Sequence, residues 1–574
     1  MNDAPNSPRS FSRRALVQGG VASLSLAASA PLLATTPPRS AVSIDLLRQP
    51  DLIRVFVGET SATAHPLERS GEEWSAAGVH VSIDVAQEQV TLAVHAPAVA
   101  LQRIHLRWNG RLSERLMVLG DAWERSYGDL AWLPLQAERA LPWYCLVHDG
   151  ASAHGFGVKT GAAAFAFWQV DDRGISLWLD VRNGGNGVQL GERTLPLATV
   201  VTHRGVGGES AFHATQQLCR RMASEIHLPR ARGGHALNAI YGSNDWYYAY
   251  GRNTAEGILR DADLMGELAP AGAIRPFTIV DDGYQDPARF PDMAALAQQI
   301  RSRSVLPGVW VRPLRAAAGT SPNLLLPTSR WGSKQERANE LAFDPTIPEA
   351  RAAVLAVVQE ARDWGYDLIK HDFTTYELLG QWGSEMNASP TVGQWNFHDR
   401  SQTNAEIISS LYRDIRTAAG EDSIVLGCNT VAHLAAGLFD AQRPGADVRG
   451  RLWERTRRMG VNTLAFRLPQ HRVFFAVDAD CVPITRDVPW QLTRQWLEAV
   501  AASGTVLLVS PEPGAVGPEQ KRALRDAFAL CVSAKAGSEP DDWVSTRTPA
   551  QWGSGVTRKQ YEWTEVEGAS PFSV

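Results

Sequence analysis

Apolar and polar residues alternate along the first third of the chain, from about residue 41 to about residue 205. Alternation with a period of two predicts β-strands with one buried face. The alternating runs are Val81–Val85, Val90–Val94, Ile104–Trp108 and Ile175–Val181. The third run ends at Asn109-Gly110, a pair typical of a hairpin turn. Short strands at this spacing predict an antiparallel β-sandwich, which we place, with a helix that links it to the next domain, at residues 41–230.

The period changes after residue 236, where short apolar runs alternate with helical patterns. The predicted strands are Phe277–Val280, Val305–Val311, Leu368–Ile369, Ile424–Gly427, Phe474–Val477 and Thr505–Val509. Between them, Glu349–Trp364 has apolar residues at helical spacing and precedes Gly365, a typical C-cap. Alternation of this kind over about 280 residues is typical of a (β/α)8 barrel of the TIM type. We predict a multidomain chain, with the barrel at residues 236–515 and a C-terminal extension of unassigned fold at 516–574.

The first 36 residues have the pattern of a targeting segment. Ser12-Arg13-Arg14 precedes an apolar stretch rich in Ala and Leu, which ends in a loop-like segment at Pro37-Pro38. A twin arginine before a weakly hydrophobic stretch is typical of a Tat signal peptide. We therefore predict that residues 1–36 direct export to the periplasm or the extracellular space. No later run reaches the roughly 18 apolar residues of a spanning helix, so we expect no membrane contact after signal removal.

Composition narrows the range of functions. The 574 residues include 56 Lys+Arg and 61 Asp+Glu, a formal net charge of −5, so we expect no nucleic-acid partner. The five cysteines are too few and too scattered for a disulfide framework. No spaced Cys/His cluster is present in the sequence, and we predict no metal and no cofactor. The 19 tryptophans are unusual, and flat aromatic faces often hold sugars, although core packing explains most tryptophans in most proteins.

Acidic residues recur where the predicted barrel strands end, which is where such barrels place their chemistry. The strand ends are Asp281-Asp282-Gly283-Tyr284, Trp310, Lys370-His371-Asp372, Cys428-Asn429, Arg443–Asp447 and Asp478-Ala479-Asp480. Each ionised carboxylate must be solvated or paired, so this many indicate a site rather than packing. A lysine and arginines among them would make a poor cation cage. Two carboxylates that act on a glycosidic bond, in contrast, need no metal.

Two of these segments suggest a family. Residues 363–372, Asp-Trp-Gly-Tyr-Asp-Leu-Ile-Lys-His-Asp, resemble the fourth-strand motif of clan D glycoside hydrolases, the α-galactosidases of families 27 and 36. The resemblance implies that Asp372 is the nucleophile. Arg443-x-Gly-x-Asp447 is similar to the sixth-strand segment of these families, which implies that Asp447 is the acid/base. The alternatives are structural ion pairs, between Asp372 and Lys370 and between Asp447 and Arg443 or Arg449.

Three further segments extend the resemblance over about residues 238–510. Asp281-Asp282-Gly283-Tyr284 is similar to the Asp-Asp-Gly-Trp of family 36 and the raffinose synthases, whose aspartates hold the galactose 4- and 6-hydroxyls. Asn244-Asp245-Trp246 resembles the Asn-Ser-Trp that lines the sugar pocket, and Gly427-Cys428 resembles the fifth-strand end in family 27. The predicted substrate-binding residues are Asp281, Asp282, Trp246, Trp310, Lys370, Cys428, Asn429, Arg443 and Asp480.

The chain departs from these families at several positions. His371 replaces the usual aromatic residue between Lys and Asp, and Asp480 has no assigned counterpart. Asn429 stands where galactose-specific members have Glu and N-acetylgalactosamine-specific members have Ser, so specificity at the sugar 2-position stays open. Trp382 and Trp395 follow the nucleophile strand in a long segment, which predicts a platform for the leaving group at the pocket rim.

The sequence therefore predicts a retaining, exo-acting α-glycosidase, first of all an α-galactosidase, with an oligosaccharide or glycoconjugate as substrate. Related clan D specificities, namely α-N-acetylgalactosaminidase and β-L-arabinopyranosidase, are alternatives. A galactosyl transglycosylase and a carbohydrate-binding barrel without turnover are others. The oligomeric state does not follow from the sequence.

Overall fold

A computed structural model describes residues 44–224, 231–232, 235–236, 239–337, 339–533, 535–572 and 574 of the chain. The predicted Tat signal at residues 1–36 lies outside these residues. Within the described residues, no helix is long and apolar enough to cross a membrane.

The N-terminal third of the described chain forms two antiparallel sheets, as the alternating pattern predicts. One sheet has the strand order Leu141–Pro142, Phe165–Asp171, Gly174–Asp180, Leu101–Asn109, Leu52–Val57 and Thr63–Pro66. The other has the order Glu68–Ser70, Glu73–Ala76, Val79–Val85, Gln89–His95, Thr194–His203, Ala153–Val158, Tyr144–His148, Met117–Gly120 and Leu133–Pro134. Alternate residues of Val79–Val85 are buried, which is the pattern of a strand with one face on the core.

The predicted hairpin at Asn109-Gly110 is wrong. Leu101–Asn109 pairs with Leu52–Val57 on one side and with Gly174–Asp180 on the other. After Gly110 the chain crosses to the other sheet, where it forms Met117–Gly120. A turn residue shows where a strand ends, but the partner of that strand depends on packing across the whole sheet.

The barrel follows as a parallel sheet that returns on itself. Its strands, in spatial order, are Ala476–Val477, Ala441–Arg443, Ile424–Cys428, Leu368–His371, Leu306–Val311, Phe277–Val280, Tyr241–Asn244, Leu507–Pro511 and Val482–Ile484. The first and last strands in this order, Ala476–Val477 and Val482–Ile484, follow one another in the chain. A bridge between Asp478, in this stretch, and Val506 joins it to the strand Leu507–Pro511. The prediction of a TIM-type barrel after a β-sandwich is confirmed.

Helices separate the barrel strands. Those of eight residues or more in the described chain are Ala211–Met222, Ala255–Leu268, Met293–Ser302, Pro348–Asp363, Asn404–Ala418, Trp490–Ser503 and Pro518–Cys531. Short helices are Trp246–Ala249, Thr374–Leu379, Ala432–Ala435, Trp453–Thr456 and Asn462–Arg467. The helix Asn404–Ala418 begins with a reciprocal capping box between Thr403 and Glu406, which satisfies two backbone donors that the helix leaves unpaired.

The C-terminal extension lies across both domains. Its three-stranded sheet consists of Glu539–Pro540, Gln551–Ser554 and Thr557–Gln560. The ring of Trp543 lies 5.8 Å from that of Trp132 in the sandwich and 5.1 Å from that of Phe466 in the barrel. Trp453 of the barrel donates a hydrogen bond of 2.6 Å to the carbonyl of Trp563. These tryptophans are buried, so the extension acts as an apolar strap between the domains.

A buried polar cluster also joins the sandwich to the barrel. The Asp121 carboxylate of the sandwich contacts three barrel side chains: His433 at 2.9 Å, Gln470 at 2.8 Å and Arg467 at 2.9 Å. Breaking a buried, hydrogen-bonded ion pair costs about 3–5 kcal/mol. The cluster therefore holds the chain segment that follows Asp121 against the barrel, close to the C-terminal ends of the strands.

Candidate active site

A pocket of about 200 Å³ lies at the C-terminal ends of the barrel strands. Its walls are Arg125, Trp246, Tyr247, Asp281, Asp282, Trp310, Lys370, Asp372, Phe373, Trp382, Asn429, Arg443 and Asp447. Every predicted site residue except Cys428 and Asp480 is among them. Pockets for drug-sized ligands measure about 300–1,000 Å³, so this one has room for a single sugar ring.

Asp372 directly follows the fourth barrel strand and is held by three donors. Its Oδ2 accepts a hydrogen bond of 2.8 Å from the Trp310 indole. Its Oδ1 accepts bonds of 2.5 Å from the Asn429 amide and 2.6 Å from the Phe373 backbone N–H. These three donors fix the direction of the carboxylate. Asp372 therefore has the geometry of a positioned nucleophile.

The backbone is strained on both sides of this carboxylate. Phe373 has a φ of 68° and Asn429 a φ of 50°, in the left-handed region that costs a residue other than glycine about 1–3 kcal/mol. The turn at Phe373 directs its N–H at Asp372, and the turn at Asn429 places the side-chain amide there. Both strained residues thus serve to orient Asp372.

Lys370 forms its ion pair with Asp281, not with Asp372. Its Nζ lies 2.7 Å from Asp281 Oδ2, which also accepts a 2.7 Å bond from Asn244. Burial acts to lower the pKa of Lys370, but the Asp281 carboxylate and other neighbouring groups together raise that pKa overall. The predicted alternative, an Asp372–Lys370 pair, is wrong because the Lys370 ammonium pairs with Asp281, while both Asp372 oxygens accept hydrogen bonds from other donors.

The paired aspartates at the second strand end differ in their surroundings. Asp281 is buried, whereas Asp282 is partly exposed, and its pKa is raised by burial and by the neighbouring Asp281 charge. Beneath them, Asp245 accepts a 2.8 Å bond from the Asp281 backbone N–H. Burial and the Asp281 charge raise the pKa of Asp245 to about 7. Asp245 thus supports Asp281, while Asp282 is the member of the pair that is open to a ligand.

Asp447 is held by two arginines. Its Oδ1 lies 2.7 Å from Arg443 and 3.3 Å from Arg125, and 40% of its side-chain surface is exposed. Burial acts to raise the pKa of Asp447, but the Arg443 and Arg125 guanidiniums outweigh it and hold that pKa below its usual range. A general acid requires a raised pKa. With these guanidiniums in contact, Asp447 is an anion.

Cys428 and Asp480 lie behind the pocket wall and orient Arg443. The Cys428 sulfur accepts hydrogen bonds of 3.1 and 2.8 Å from the Arg443 guanidinium. Asp480 Oδ2 accepts a bond from the Tyr247 hydroxyl, accepts another of 2.9 Å from the Val448 N–H, and lies 3.5 Å from Arg443. Burial raises the pKa of the Cys428 thiol, so it is a neutral support. Cys428 and Asp480, both predicted to bind the sugar, therefore lie behind the residues that line the pocket.

Arg125 reaches the pocket from the sandwich domain, and the sequence did not predict it. Residues 124–127 run beside residues 444–446, with Ser126 N–H bonded to the Pro444 carbonyl at 2.9 Å and Ala446 N–H to the Ser126 carbonyl at 2.8 Å. Arg125 donates a hydrogen bond to Asn429, and its guanidinium stacks 4.7 Å from the Trp382 ring centre. It lies in an irregular segment without a motif, 304 residues before Asn429, so local sequence contained no signal for it.

Gly445 makes this close pairing possible. A Cβ added at Gly445 would lie 1.8 Å from the Thr463 hydroxyl, far inside van der Waals contact. The glycine of the Arg443-x-Gly-x-Asp447 segment therefore lets the backbone pass between Thr463 and Ser126, and the Asp447 loop and the Arg125 segment meet as a result.

The two tryptophans predicted as a rim platform have different positions. Trp382 lines the pocket and stacks on Tyr376, with ring centres 4.3 Å apart and planes at 19°. Trp395 is only 3% exposed, and its carbonyl accepts a 2.9 Å hydrogen bond from Gly185 of the sandwich. The platform prediction is wrong for Trp395, because the long segment folds back onto the sandwich before it reaches that residue.

We expect Arg125→Gln to move the basic limb of the pH profile to higher pH, where the profile is that of kcat/KM for hydrolysis of the predicted α-glycoside substrate. That limb follows the free-protein pKa of the group that must be protonated. Removal of one positive charge beside Asp447 favours its protonated form, so the limb should rise by roughly one pH unit. The exposed Arg115 of the same domain provides the control Arg115→Gln, which should leave the profile unchanged. A limb that stays in place, or moves down, would mean that Asp447 is not the titrating acid.

No protein-family model matches the chain. Among solved structures, it is similar to TtGalA, an α-galactosidase from Thermus thermophilus in complex with p-nitrophenyl α-D-galactopyranoside, with 18% identity, 89% of this chain and 99% of that chain covered, and a TM-score of 0.55. It is also similar to a variant of AgaA, a family 36 α-galactosidase from Geobacillus stearothermophilus, with 13% identity, 84% and 73% covered, and a TM-score of 0.52. The galactosidase domain of the α-galactosidase–sucrose kinase AgaSK gives 14% identity, 83% and 71% covered, and a TM-score of 0.52. The chain therefore has the fold of the family 36 α-galactosidases.

Proposed function

We propose that the chain is a retaining exo-α-galactosidase. The observation that supports this best is the Asp372 carboxylate, held by three donors in a pocket the size of one sugar and linked to Asp447 through Asn429 and Arg125. The galactosyl preference rests on Asp281 and Asp282 at the second strand end. It also rests on neighbours of the same fold, which are described in complex with stachyose and raffinose.

The proposed reaction has two displacements. In the first, Asp372 attacks the anomeric carbon, the glycosidic C–O bond breaks, and Asp447 protonates the departing oxygen. In the second, Asp447 takes a proton from water, the water oxygen attacks the anomeric carbon, and the bond to Asp372 breaks. The Trp310 and Asn429 donors stabilise the Asp372 anion when it leaves in the second step.

Substrate binding must also prepare Asp447 for its role as an acid. Sugar hydroxyls that accept hydrogen bonds from Arg443 and Arg125 would draw both guanidiniums away from Asp447, and its pKa would rise. Protonation of Asp447 is then coupled to occupation of the pocket. Asp447 is then ionised in the free protein, and it becomes a proton donor only when a sugar occupies the pocket.

A panel of aryl glycosides tests the proposal. We expect hydrolysis of 4-nitrophenyl α-galactoside, with α-galactose as the product that NMR detects first, because two inversions restore the configuration. Cleavage of the α-N-acetylgalactosaminide or the β-L-arabinopyranoside, without the α-galactoside, would contradict the sugar assignment. A β-anomer as first product would contradict the retaining mechanism. Product analysis with excess acceptor sugar would reveal a transglycosylase.

A further inference from the structure

Two exposed arginines, Arg449 and Arg451, follow Asp447 closely in the chain. Among the described residues, no carboxylate lies within 4.0 Å of either. Two other arginines of the same segment are paired, since Arg457 and Arg458 lie 2.7 and 2.9 Å from Glu454. In a chain with a net charge of −5, this leaves a local positive excess immediately after the proposed acid/base.

Arg451 lies next to the pocket wall, and Arg449 is two residues after Asp447, a pocket residue. The Arg451 guanidinium lies 4.4 Å from the ring centre of Tyr250, and that ring is 5.7 Å from Trp246, a pocket residue. The Tyr250 hydroxyl accepts a 3.0 Å bond from the Gly450 N–H. A Cβ at Gly450 would lie 1.9 Å from the carbonyl of Tyr247, another pocket residue. The backbone between the two arginines thus contacts the pocket wall, and both residues are exposed.

Arg125 extends the same charge into the pocket. Its side chain is only 12% exposed and is part of the wall next to Asp447. A planar guanidinium matches the oxygens of a carboxylate or sulfate in a bidentate manner. Positive charge around the mouth of a cleft also raises the local concentration of anionic ligands. The side of the pocket that contains Asp447 is therefore suited to an anion.

We propose that the group leaving with the oxygen that Asp447 protonates is anionic. In the substrate, the sugar next to the released galactosyl unit would contain a carboxylate or a sulfate, which Arg449 and Arg451 bind. The substrate class is then an acidic glycan with terminal α-galactose. The inference rests on the proposed function, because the role of Asp447 defines the leaving-group side.

Matched disaccharides test this preference on the full chain. The substrates are α-galactosyl-(1→4)-glucuronic acid, its neutral analogue with glucose, and the analogue with glucose 6-sulfate. At low ionic strength we expect kcat/KM for at least one acidic substrate to exceed that for the neutral one by about tenfold or more. The advantage should shrink near 1 M salt, where the Debye length is about 3 Å. The two acidic substrates show whether the anion is a carboxylate or a sulfate.

A double variant assigns the preference to these side chains. Arg449→Gln with Arg451→Gln should reduce the ratio of acidic to neutral kcat/KM to near one. The control, Arg413→Gln with Arg522→Gln, removes two exposed helical arginines that also have no ion pair with a described carboxylate, and it should keep the ratio. Equal kcat/KM for all three wild-type substrates, or an unchanged ratio in the Arg449/Arg451 variant, would overturn the proposal.

A binding measurement separates this inference from the proposed function. Tryptophan fluorescence or calorimetry would compare methyl glucuronide and glucose 6-sulfate with methyl glucoside as ligands of the wild-type chain and both double variants. Acidic binding that depends on Arg449 and Arg451, without any α-galactoside cleavage, supports the anion site and refutes the galactosidase. Cleavage of neutral and acidic α-galactosides alike, without preferential acidic binding, supports the galactosidase and refutes the anion site.

Discussion

The variant Asp372→Asn is expected to lose essentially all α-galactoside hydrolysis, with kcat lower by about 10⁴-fold or more. An amide cannot form the glycosyl–enzyme bond. Its NH2 group would also face either the Trp310 N–H or the donors from Asn429 and Phe373, all of which now point at carboxylate oxygens. Steady-state kinetics with 4-nitrophenyl α-galactoside measures the loss. The exposed Asp422, at the start of the fifth barrel strand, provides the control Asp422→Asn, which should retain full activity.

The smaller variant Asp372→Gly extends this test. Removal of the side chain leaves room for azide, which would attack the anomeric carbon from the vacated side and restore turnover. Because only one displacement then occurs, the product should be β-galactosyl azide, which NMR identifies. Activity of Asp372→Asn within tenfold of wild type would refute the nucleophile assignment. Failure of azide in a folded glycine variant would weigh against a direct displacement at this position.

Removal of the Asp447 carboxylate should have an effect that depends on the leaving group. For Asp447→Ala we expect kcat/KM on a galactosyl disaccharide to fall by about 10²–10⁴-fold, the usual contribution of a general acid. A 2,4-dinitrophenyl galactoside needs no protonation when it leaves, so its first step should be much less affected. The glycosyl–enzyme intermediate would then accumulate, and azide should release it as α-galactosyl azide, since two displacements have occurred.

The contrast between the two substrates is the decisive measurement for Asp447. An equal loss on both would show that Asp447 acts in binding or folding rather than in proton transfer. Asp447→Ala also leaves Arg443 and Arg125 without this partner, so its thermal stability must be compared with the wild type. The exposed Asp487 lies in the loop after the barrel strand Val482–Ile484. The variant Asp487→Asn is therefore a control for the loss of an aspartate near that edge of the barrel.

Periodicity predicted most of the architecture because it reports on local burial. Val79–Val85 and Gln89–His95 alternate in the structure as their sequences indicate. The predicted helix Glu349–Trp364 appears as Pro348–Asp363, followed by Gly365 at a φ of 91°. Each of these features depends on residues within a few positions of one another, so the local sequence is sufficient to specify them.

The set of pocket residues could also be predicted in large part. Parallel strands end at one edge of a barrel, so residues at successive strand ends must converge whatever their separation in the chain. Asp281, Asp372 and Asp447 follow the second, fourth and sixth strands and line one pocket. The strand order alone therefore brings the three carboxylates together.

The partners of those carboxylates depend on contacts that no local pattern contains. Lys370 pairs with Asp281, which follows a different barrel strand 89 residues earlier, and Trp395 is buried because its loop folds back onto the sandwich. The Asp372–Lys370 pair and the Trp395 platform were predicted wrongly because residues close in sequence were taken to be close in space.

The electrostatic state of Asp447 shows the same division most clearly. The sequence alone specifies a carboxylate at the sixth strand end and an arginine four residues before it. Arg125, 322 residues before Asp447, arrives only because the Asp121 cluster and the tryptophans of the C-terminal extension dock the sandwich onto the barrel. Charge interactions act through space and are strengthened by burial. Local sequence therefore specifies which groups stand at the strand ends, whereas the docking of the domains decides which of them are charged and how they are paired.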